Sequence, residues 1–488
     1  MPSKPATGSS TAAPSEDESD VLLIGAYLGD DGPIPAGVSG LGPLDDLVPR
    51  LGSAGFKGKL GEVTIVPPPD GVAAKAVAVV GLGKEDKVSE SVIRRASGSA
   101  GRKLADRSTI AIALPHGERN TFVEAAAEGL LLGSYRFTTY KSDAKPSKIE
   151  HLTFFGDAAA AAERGSVRAK AAMFARDLIN EPASTLTPAV FAERIEEVAL
   201  ASGLEVEVWG PQELESRGFG GLLGVSQGSE QEPRFIQLRY APKSGATKKI
   251  ALVGKGVTYD TGGYSLKPPA SMEQMKTDMS GAAAVIATMS ALGDLEVDRE
   301  VLGFIPATEN LISGKAIKPG DVLRHYGGKT TEVMNTDAEG RLILADALAF
   351  ASEQGPDAIV DLATLTGSMT VALGNKASGV FVNDEPLSKE LLRAAEEAGE
   401  QTWRMPLWDD NNSELESEIA DFKNVGSRYG GAITAAIFLQ HFVGEGIPWA
   451  HFDIAGPARS ESDRDEISRG GTAVGVRTLL KWLEGNDG

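Results

Sequence analysis

The sequence predicts an α/β protein of two domains, and three observations lead to this expectation. The chain has 488 residues, which at about 100–200 residues per domain allows two to four domains. Hydrophobic residues make up 42% of the chain, enough for a sizeable core. Short apolar runs alternate with helix-length segments in both halves, as strands and helices do in α/β folds.

The first predicted domain covers residues 21–165 and follows a polar tail. Residues 1–20 read MPSKPATGSSTAAPSEDESD. This stretch is rich in Pro and Ser and lacks the apolar segment of a secretory signal, so we expect a flexible tail. Within the domain, the apolar runs predict strands and the longer patterned segments predict helices. The predicted strands are Val21–Ala26, Val63–Val66, Ala76–Gly81, Ile110–Leu114 and Leu152–Phe155, and the predicted helices are Glu90–Leu104 and Phe122–Leu132.

A linker helix and turn, residues 166–190, is expected to join the two domains. The Ala-rich segment Ala158–Ile179 predicts a helix that ends before Pro182. Thr187 and Pro188 have the residue types of an N-cap and a first helical position, which predicts another helix over Ala189–Ala201.

The second predicted domain, residues 191–488, repeats the alternation of strands and helices. Its predicted strands are Phe235–Tyr240, Lys249–Val253, Glu300–Ile305, Ala358–Leu362 and Trp449–Asp453. Its predicted helices are Ala282–Leu292, Leu342–Glu353, Lys389–Ala398, Thr434–Phe442 and Thr478–Trp482. No repeat of fixed period is present, which argues against solenoids and propellers.

Composition excludes several classes of function. The net charge of −20 disfavours a dedicated nucleic-acid or anionic-membrane binder and suits a chain that holds multivalent cations. The chain has no Cys, which rules out disulfides, thiolate metal sites and Cys nucleophiles. No apolar run reaches the roughly 18–20 residues of a membrane helix. A cytoplasmic protein is expected.

Three short motifs fail when their context is considered. Gly224–Gly228 fits G-x-S-x-G, but a strand follows it rather than a helix, so a Gly-rich loop is the better interpretation. The segment Val80–Lys84 lacks the last glycine of a dinucleotide loop, and Gly254-Lys255 lacks the upstream glycine of a P-loop. None of the five histidines forms a zinc-binding pair. A metal site would therefore use oxygen ligands for the most part.

Two segments look suited to such a site. Leu252–Pro268 is an apolar strand that runs into a Gly-rich loop carrying Lys255, Asp260 and Lys267, and α/β sheets bind ligands at this end of their strands. In the second segment, Asn335–Leu342, the charged residues Asp337, Glu339 and Arg341 alternate with small residues. In extended backbone all three side chains would point to one side.

Together the two segments resemble the cytosolic leucine aminopeptidase family, two-metal exopeptidases that include bacterial aminopeptidase A. The motifs are VGKGVTYDTGGYSLKP and NTDAEGRL, and the similarity covers about residues 165–485, whereas the first 160 residues match only in position and general character. Further matching segments are Pro306–Asn310, Lys318–Leu323, Asp361–Gly367, Tyr429–Thr434 and His451–Gly456. The sequence departs from the family pattern at Tyr259, Tyr264 and Ser280, none of them at a ligand position.

The resemblance implies a role for each matching residue. Two divalent ions, Mn²⁺ or Zn²⁺, would be held by five ligands, with Asp260 and Glu339 bridging both ions. The implied ligands are Lys255, Asp260, Asp278, Asp337 and Glu339. Lys267 and Arg341 would be the catalytic groups, the latter holding bicarbonate as a general base. The implied substrate pocket includes Met275, Thr364, Gly367 and Ala455.

Elementary chemistry fits those roles. Four carboxylates offset the charge of two dications, and a pair of such ions lowers the pKa of a shared water toward neutrality. The implied reaction is attack of that hydroxide on the first peptide carbonyl, releasing leucine-like residues. The resemblance also implies a macro-like N-terminal domain, a mixed central sheet in the catalytic domain, and a homohexamer made of two trimers.

Two alternatives stay open on the residues alone. Carboxylate clusters also serve two-metal phosphatases and amidases, and turnover that depends on a free amine would separate these from an aminopeptidase. A DNA-binding regulator is a second class. The net charge argues against it, although a local basic patch would reveal itself through steep salt dependence of duplex binding.

Overall fold

The computed structural model describes residues 5–41, 46–115, 119–243 and 245–485. The chain forms two compact units. The first consists of Met1–Met173 with Ser460–Arg469, and the second of Phe174–Arg459 with Gly470–Gly488. The first four residues of the expected tail, the last three of the chain and His116 lie outside the described residues.

The first unit is an α/β layer structure around a mostly parallel sheet. Its strands are β1 (Ala6–Ser10), β2 (Val21–Leu28), β3 (Pro33–Ala36), β4 (Val63–Val66), β5 (Val77–Gly83), β6 (Thr109–Ile112) and β7 (His151–Phe155). Its helices are α1 (Leu47–Ser53), α2 (Glu90–Lys103), α3 (Asn120–Ser134) and the first part of α4 (Ala159–Asn180). Among the described residues the sheet has seven strands in the order β1-β7-β6-β2-β5-β4, with β3 beside β2. All five strands predicted for this domain are present, with ends that differ by a few residues.

The expectation of a flexible tail over residues 1–20 is wrong for part of that segment. Ala6–Ser10 forms an edge strand parallel to β7, in register from Ala6 opposite His151 to Ser10 opposite Phe155. The segment's polar composition concealed this strand, because backbone hydrogen bonds hold it in place and its side chains are mostly at the surface.

The boundary between the two units lies within the segment expected as a linker, residues 166–190. It falls inside α4, after Met173, and the distant segment Ser460–Arg469 joins the first unit. Arg102 donates to the carbonyl oxygens of Asp465 and Ile467, each at 2.9 Å. Such long-range contacts leave no local signal in the sequence.

The second unit is larger and has a mixed sheet. Its strands in chain order are β8 (Glu205–Trp209), β9 (Arg234–Tyr240), β10 (Lys249–Gly254), β11 (Gly256–Asp260), β12 (Glu300–Asn310), β13 (Val322–Arg324), β14 (Thr330–Glu332), β15 (Ala358–Ala363), β16 (Ser378–Val382), β17 (Thr402–Met405), β18 (Phe422–Lys423), β19 (Trp449–Asp453), β20 (Arg459–Ser460) and β21 (Gly470–Gly471). Within the described part of the chain, nine of them form a sheet in the order β17-β16-β19-β15-β10-β12-β9-β8, with β11 beside β12. The α/β class, the two-domain organisation and the mixed sheet are thus confirmed.

Helices cover this sheet and complete its core. They are the end of α4, α5 (Pro188–Ala201), α6 (Pro211–Arg217), α7 (Gly220–Ser226), α8 (Pro269–Met272), α9 (Ser280–Ala291), α10 (Glu339–Glu353), α11 (Gly367–Leu373), α12 (Glu385–Ala398), α13 (Gly431–Gln440) and α14 (Val476–Glu484). Thr187 caps α5 as predicted, its hydroxyl accepting from the Val190 N–H. Apolar residues of β10, β12, β15 and α10 pack in one buried cluster that includes Val253, Phe304, Ile359 and Leu348.

Two local expectations in this unit need correction. The predicted loop at Gly224–Gly228 begins as helix, since α7 runs to Ser226. Ser226 is the last residue of this helix and no described helix follows it directly, so the hydrolase elbow is still excluded. Strand β12 continues past Ile305 and Pro306 to Asn310, because β9 and β11 pair with its two sides.

None of the described helices combines the length and the apolar character that crossing a bilayer requires.

Candidate active site

The predicted site residues lie at the carboxyl ends of neighbouring parallel strands. Lys255 directly follows β10, Asp260 ends β11, and Thr364 directly follows β15. Strands β10, β12 and β15 are parallel, so their carboxyl ends meet at one edge of the sheet. Asp278 lies in a 3-10 turn, Met275–Met279, that leads into α9.

Four carboxylates and two lysines come together at this edge. Lys255 Nζ lies 2.8 Å from both Asp278 Oδ1 and Glu339 Oε1. Lys267 Nζ lies 2.8 Å from Asp260 Oδ2 and 2.5 Å from Asp337 Oδ1. One carboxylate oxygen from each of Asp260, Asp337 and Glu339 lies within 4.8 Å of the others. The structure thus brings together all five proposed ligands and Lys267.

Crowding and burial shift the pKa values of these groups. Burial and the neighbouring carboxylates raise the pKa of Asp260 well above its usual value, and burial raises that of Asp278 to about 6. Burial lowers the pKa of Lys255, but the facing Asp278, Glu339 and Asp260 outweigh it and raise the pKa overall. Burial would raise the pKa of Glu339, yet Lys255 and Lys267 hold it below its usual value. The cluster is therefore short of positive charge.

The donor set fits divalent cations. Asp278 Oδ2 and Glu339 Oε2 are buried and have no hydrogen-bond partner among the residues that the structure describes. Buried carboxylate oxygens without partners are costly, and a cation would satisfy them. With all four carboxylates ionised and both lysines protonated, the site would carry two negative charges with little access to water. Oxygen-rich sites of this kind suit Mn²⁺ or Mg²⁺, and Zn²⁺ also accepts carboxylate ligands.

The second ligand segment is not extended, which corrects the expected geometry. Glu339 is the first residue of α10 and Arg341 the third, while Asp337 lies in the turn before the helix. The helix N-terminus favours the carboxylate of Glu339 through its dipole. Gly340 leaves space for the lysine, since a Cβ there would lie 2.6 Å from Lys255 Cε.

Arg341 lies beside the carboxylate cluster rather than within it. Its side chain is buried, Nη1 donates to the Asn424 carbonyl at 2.6 Å, and Nε has no partner in the described ranges. Burial lowers the pKa of Arg341 to about 10, against the opposing effect of Glu339 and Asp453. Arg341 and Asp337 line a cavity of about 300 Å³ together with Gly367 and Arg428.

Of the other three predicted pocket residues, Thr364 contacts Asp278 directly. Thr364 donates its hydroxyl to Asp278 Oδ1 at 2.7 Å, and its carbonyl accepts from Lys255 Nζ at 3.0 Å. Met275 begins the 3-10 turn that carries Asp278. The Ala455 N–H donates to Asp453 Oδ1, which also accepts from the Leu365 N–H next to Thr364.

Two buried asparagines at the site were not predicted as functional residues. Asn310 donates to Asp260 Oδ1 at 2.8 Å. Asn424 contacts the turn before α10, its side chain accepting from the Met334 N–H and donating to the Asn335 carbonyl. Asn310 belongs to a segment recognised only as a family match, and Asn424 stands in no motif.

Two histidines form buried contacts with carboxylates away from the cluster. His325 Nδ1 lies 3.0 Å from Asp346 and its Nε2 lies 2.9 Å from Thr331 Oγ1, a set of groups similar to a hydrolase triad. The side chains of His325 and Asp346 are completely buried, so no substrate reaches them. His451 Nδ1 lies 2.6 Å from Asp361 Oδ1, also in the core.

Fold and site together define a metal-dependent enzyme with a two-domain α/β architecture. Sequence comparison agrees: the profile of the cytosol aminopeptidase family, catalytic domain, matches residues 173–480, and that of its N-terminal domain matches residues 48–144. The chain belongs to the cytosol aminopeptidase family. It is a metal-dependent aminopeptidase, a hydrolase that acts on peptides.

Individual relatives span nearly the whole chain. A probable cytosol aminopeptidase of Rhodococcus jostii (strain RHA1) is 43% identical over 481 residues, which are 95% of this chain and 94% of the relative. One of Streptomyces coelicolor is 43% identical over 506 residues, covering 97% of each chain.

Two solved structures are also similar. The bottromycin maturation enzyme BotP in complex with Mn has a TM-score of 0.87 at 38% identity, covering 96% of this chain and 99% of that one. A mutant of tomato leucine aminopeptidase has a TM-score of 0.86 at 34% identity, covering 99% of this chain and 96% of the other.

Proposed function

We propose that this protein is a leucyl aminopeptidase that uses two metal ions to release leucine and similar apolar residues from peptide N-termini. The observation that carries the proposal is the buried cluster of four carboxylates and two lysines, in which Asp278 Oδ2 and Glu339 Oε2 lack partners among the described residues.

Five side chains would hold the two ions. Asp260 and Glu339 would bridge both ions, Lys255 and Asp278 would complete one site, and Asp337 the other. When bound, two such ions supply an activated hydroxide and polarise the carbonyl that it attacks. Mn²⁺ and Zn²⁺ are the proposed metals.

Lys267 would stabilise the transition state. Its side chain is 15% exposed, whereas that of Lys255 is 3% exposed, so Lys267 is the lysine with access to a substrate. Asp260 and the other carboxylates raise its pKa against the effect of burial, which keeps its ammonium charged. A fixed positive charge facing the scissile carbonyl oxygen favours the negative charge that develops there.

Arg341 would hold a bicarbonate ion in the adjoining cavity. Its Nε is buried and unpartnered within the described residues, and the guanidinium fork matches a planar oxyanion. Bicarbonate, when bound, supplies a weak base beside the carboxylate cluster.

The side-chain pocket is proposed to include Met275, Thr364, Gly367 and Ala455. Contacts of Thr364 and Ala455 connect this group to Asp278 and Asp453. The small and apolar members would suit a leucine side chain.

Hydrolysis of a panel of aminoacyl amides tests the proposal. Protein stripped by a chelator and reloaded with Mn²⁺ or Zn²⁺ should cleave leucine amide, and N-acetyl-leucine amide should not be cleaved. Equal turnover of both amides would favour a general two-metal amidase. Cleavage of phenyl phosphate with no amide turnover would favour a phosphatase.

We also propose a cytoplasmic homohexamer made of two trimers. The second unit exposes large aromatic residues. The exposed fraction is 66% for Trp403 on edge strand β17, 59% for Trp408 and 80% for Tyr429. Tyr and Trp are enriched in protein interfaces. Sedimentation velocity should give six times the mass of one chain, and a monomer at micromolar concentration would contradict the assembly.

A further inference from the structure

Asn310 lies between two loops that carry proposed ligands, the loop that begins at Asp260 and the turn that contains Asp337. It is the last residue of β12 and is paired in register with Asp260, the last residue of β11. Asn310 is 2% exposed, so its amide makes hydrogen bonds with protein groups rather than with water.

The amide nitrogen of Asn310 contacts both loops at once. Nδ2 donates to Asp260 Oδ1 at 2.8 Å and to the Thr336 carbonyl at 3.0 Å. Thr336 directly precedes Asp337. The two N–H bonds of this one amide thus donate to two different ligand segments.

These bonds fix the orientation of the Asp260 carboxylate. Oδ1 accepts from Asn310 Nδ2 and from the Gly262 N–H, each at 2.8 Å. The other oxygen, Oδ2, lies 2.8 Å from Lys267 Nζ, inside the carboxylate cluster. With Oδ1 held outside by two donors, Oδ2 is the oxygen that faces the centre.

The backbone of Asn310 completes the connection. Its carbonyl accepts from both the N–H and the hydroxyl of Thr261, each at 2.9 Å. Thr336 in turn donates its hydroxyl to the Gly262 carbonyl at 2.7 Å. The two ligand loops are therefore joined directly and through Asn310.

We propose that Asn310 is a positioning residue of the metal centre, whose amide orients Asp260 and sets the distance between the Asp260 and Asp337 loops. The inference rests on the proposed two-metal function. Groups that orient metal ligands typically contribute about 10- to 100-fold to metal affinity or activity. Only Asn supplies two donors from one nitrogen at this reach, since Leu has no donor and Asp has only acceptors when ionised.

The test is Mn²⁺ titration of the chelator-stripped full chain by calorimetry. Asn310→Leu should weaken Mn²⁺ binding about 10- to 100-fold while the melting temperature of the metal-free protein changes no more than in the control. The control is Thr308→Val, which alters another buried residue of β12 whose hydroxyl donates to the Glu309 carbonyl and not to Asp260. Asn310→Ala, a smaller side chain, should behave as Asn310→Leu does.

A second readout separates positioning from general damage. The leucine amide activity that Asn310→Leu loses at limiting Mn²⁺ should return when Mn²⁺ is raised, because refilling the site restores the centre. Unchanged Mn²⁺ affinity in both Asn310 variants would overturn the proposal, and so would failure of both variants to fold. If the parent binds Mn²⁺ but cleaves no aminoacyl amide, the proposed function fails, while the affinity comparison still decides the role of Asn310.

Discussion

Lys255 Nζ lies 2.8 Å from Glu339 Oε1, and both side chains are almost fully buried. This contact connects the end of β10 to the first residue of α10. Removing one partner of a buried ion pair leaves the other charge uncompensated, which is strongly destabilising. In the metal-free protein, Lys255 and Lys267 each neutralise part of the negative charge that the two ions would offset. Because Lys255 is a proposed ligand and Lys267 is not, substitutions at the two positions should affect metal binding and catalysis separately.

Lys267→Ala should reduce kcat strongly without loss of metal. One donor aimed at a developing oxyanion is typically worth about 10²- to 10³-fold in kcat. Leucine amide kinetics and elemental analysis of the same sample measure both effects. Lys255→Ala is the matched control and should lose metal. If Lys267→Ala also loses an ion, Lys267 is a ligand and its assigned role is wrong.

Glu339→Gln should abolish metal binding and activity, whereas Glu309→Gln should retain both ions. Glutamine offers one good oxygen donor where the carboxylate offers two, and it removes a charge from the cluster. Glu309 instead accepts from Ser229 Oγ at 2.5 Å, and burial raises its pKa. Metal content after dialysis distinguishes the two variants. Tight binding of two ions by Glu339→Gln would contradict the two-metal assignment.

Asp361→Asn should destabilise the protein more at pH 6 than at pH 9. Burial lowers the pKa of His451, but Asp361 outweighs this and raises it above 6.5. The ion pair therefore contributes in full below pH 6.5 and its contribution is lost as the pH rises through the folded-state pKa. Breaking a buried pair costs about 3–5 kcal/mol.

The measurement is the difference in melting temperature between parent and Asp361→Asn across this pH range. At high pH the new amide still serves both neighbours, accepting from the Trp449 Nε1–H and donating to neutral His451. His151→Gln, a change at an exposed position of β7, is the control and should show no such trend. A difference that is constant with pH would mean that His451 does not change its charge between pH 6 and pH 9.

Local patterns predicted most of the central elements. The apolar run Trp449–Asp453 forms a strand with the predicted ends, and Thr187 caps α5. These succeed because a strand that is buried on both faces has a mostly apolar sequence and a cap requires one side-chain oxygen. Ala6–Ser10 and the extension of β12 past Pro306 were missed, since pairing with distant strands determines both.

The site shows the same division between local and long-range information. Lys255, Asp260 and Lys267 were singled out because a strand followed by a Gly-rich loop marks a ligand edge, and the structure places them together there. The spacing of Asp337, Glu339 and Arg341 was noticed, but an extended backbone was expected. The segment instead enters helix α10 at Glu339. Asn424 was missed because it reaches the turn before α10 only through the tertiary fold.

Gly340→Ala should weaken Mn²⁺ binding although alanine favours helices. The second residue of α10 tolerates alanine by backbone propensity, but displacing Lys255 from two buried carboxylates should make the metal-free protein less stable than the parent. A Cβ at this position would lie 2.6 Å from Lys255 Cε and 2.8 Å from Nζ. The lysine must then move away from Asp278 and Glu339, which lie 2.8 Å from Nζ. We expect about a tenfold or greater loss of Mn²⁺ affinity, comparable with the loss of about 10- to 100-fold that is typical when groups orienting metal ligands are mutated. Gly314→Ala is the control, because nothing lies within 4 Å of a Cβ at that position. Calorimetric titration of both variants decides the matter: if Gly340→Ala binds Mn²⁺ as tightly as Gly314→Ala, the observed position of Lys255 is not needed for metal binding.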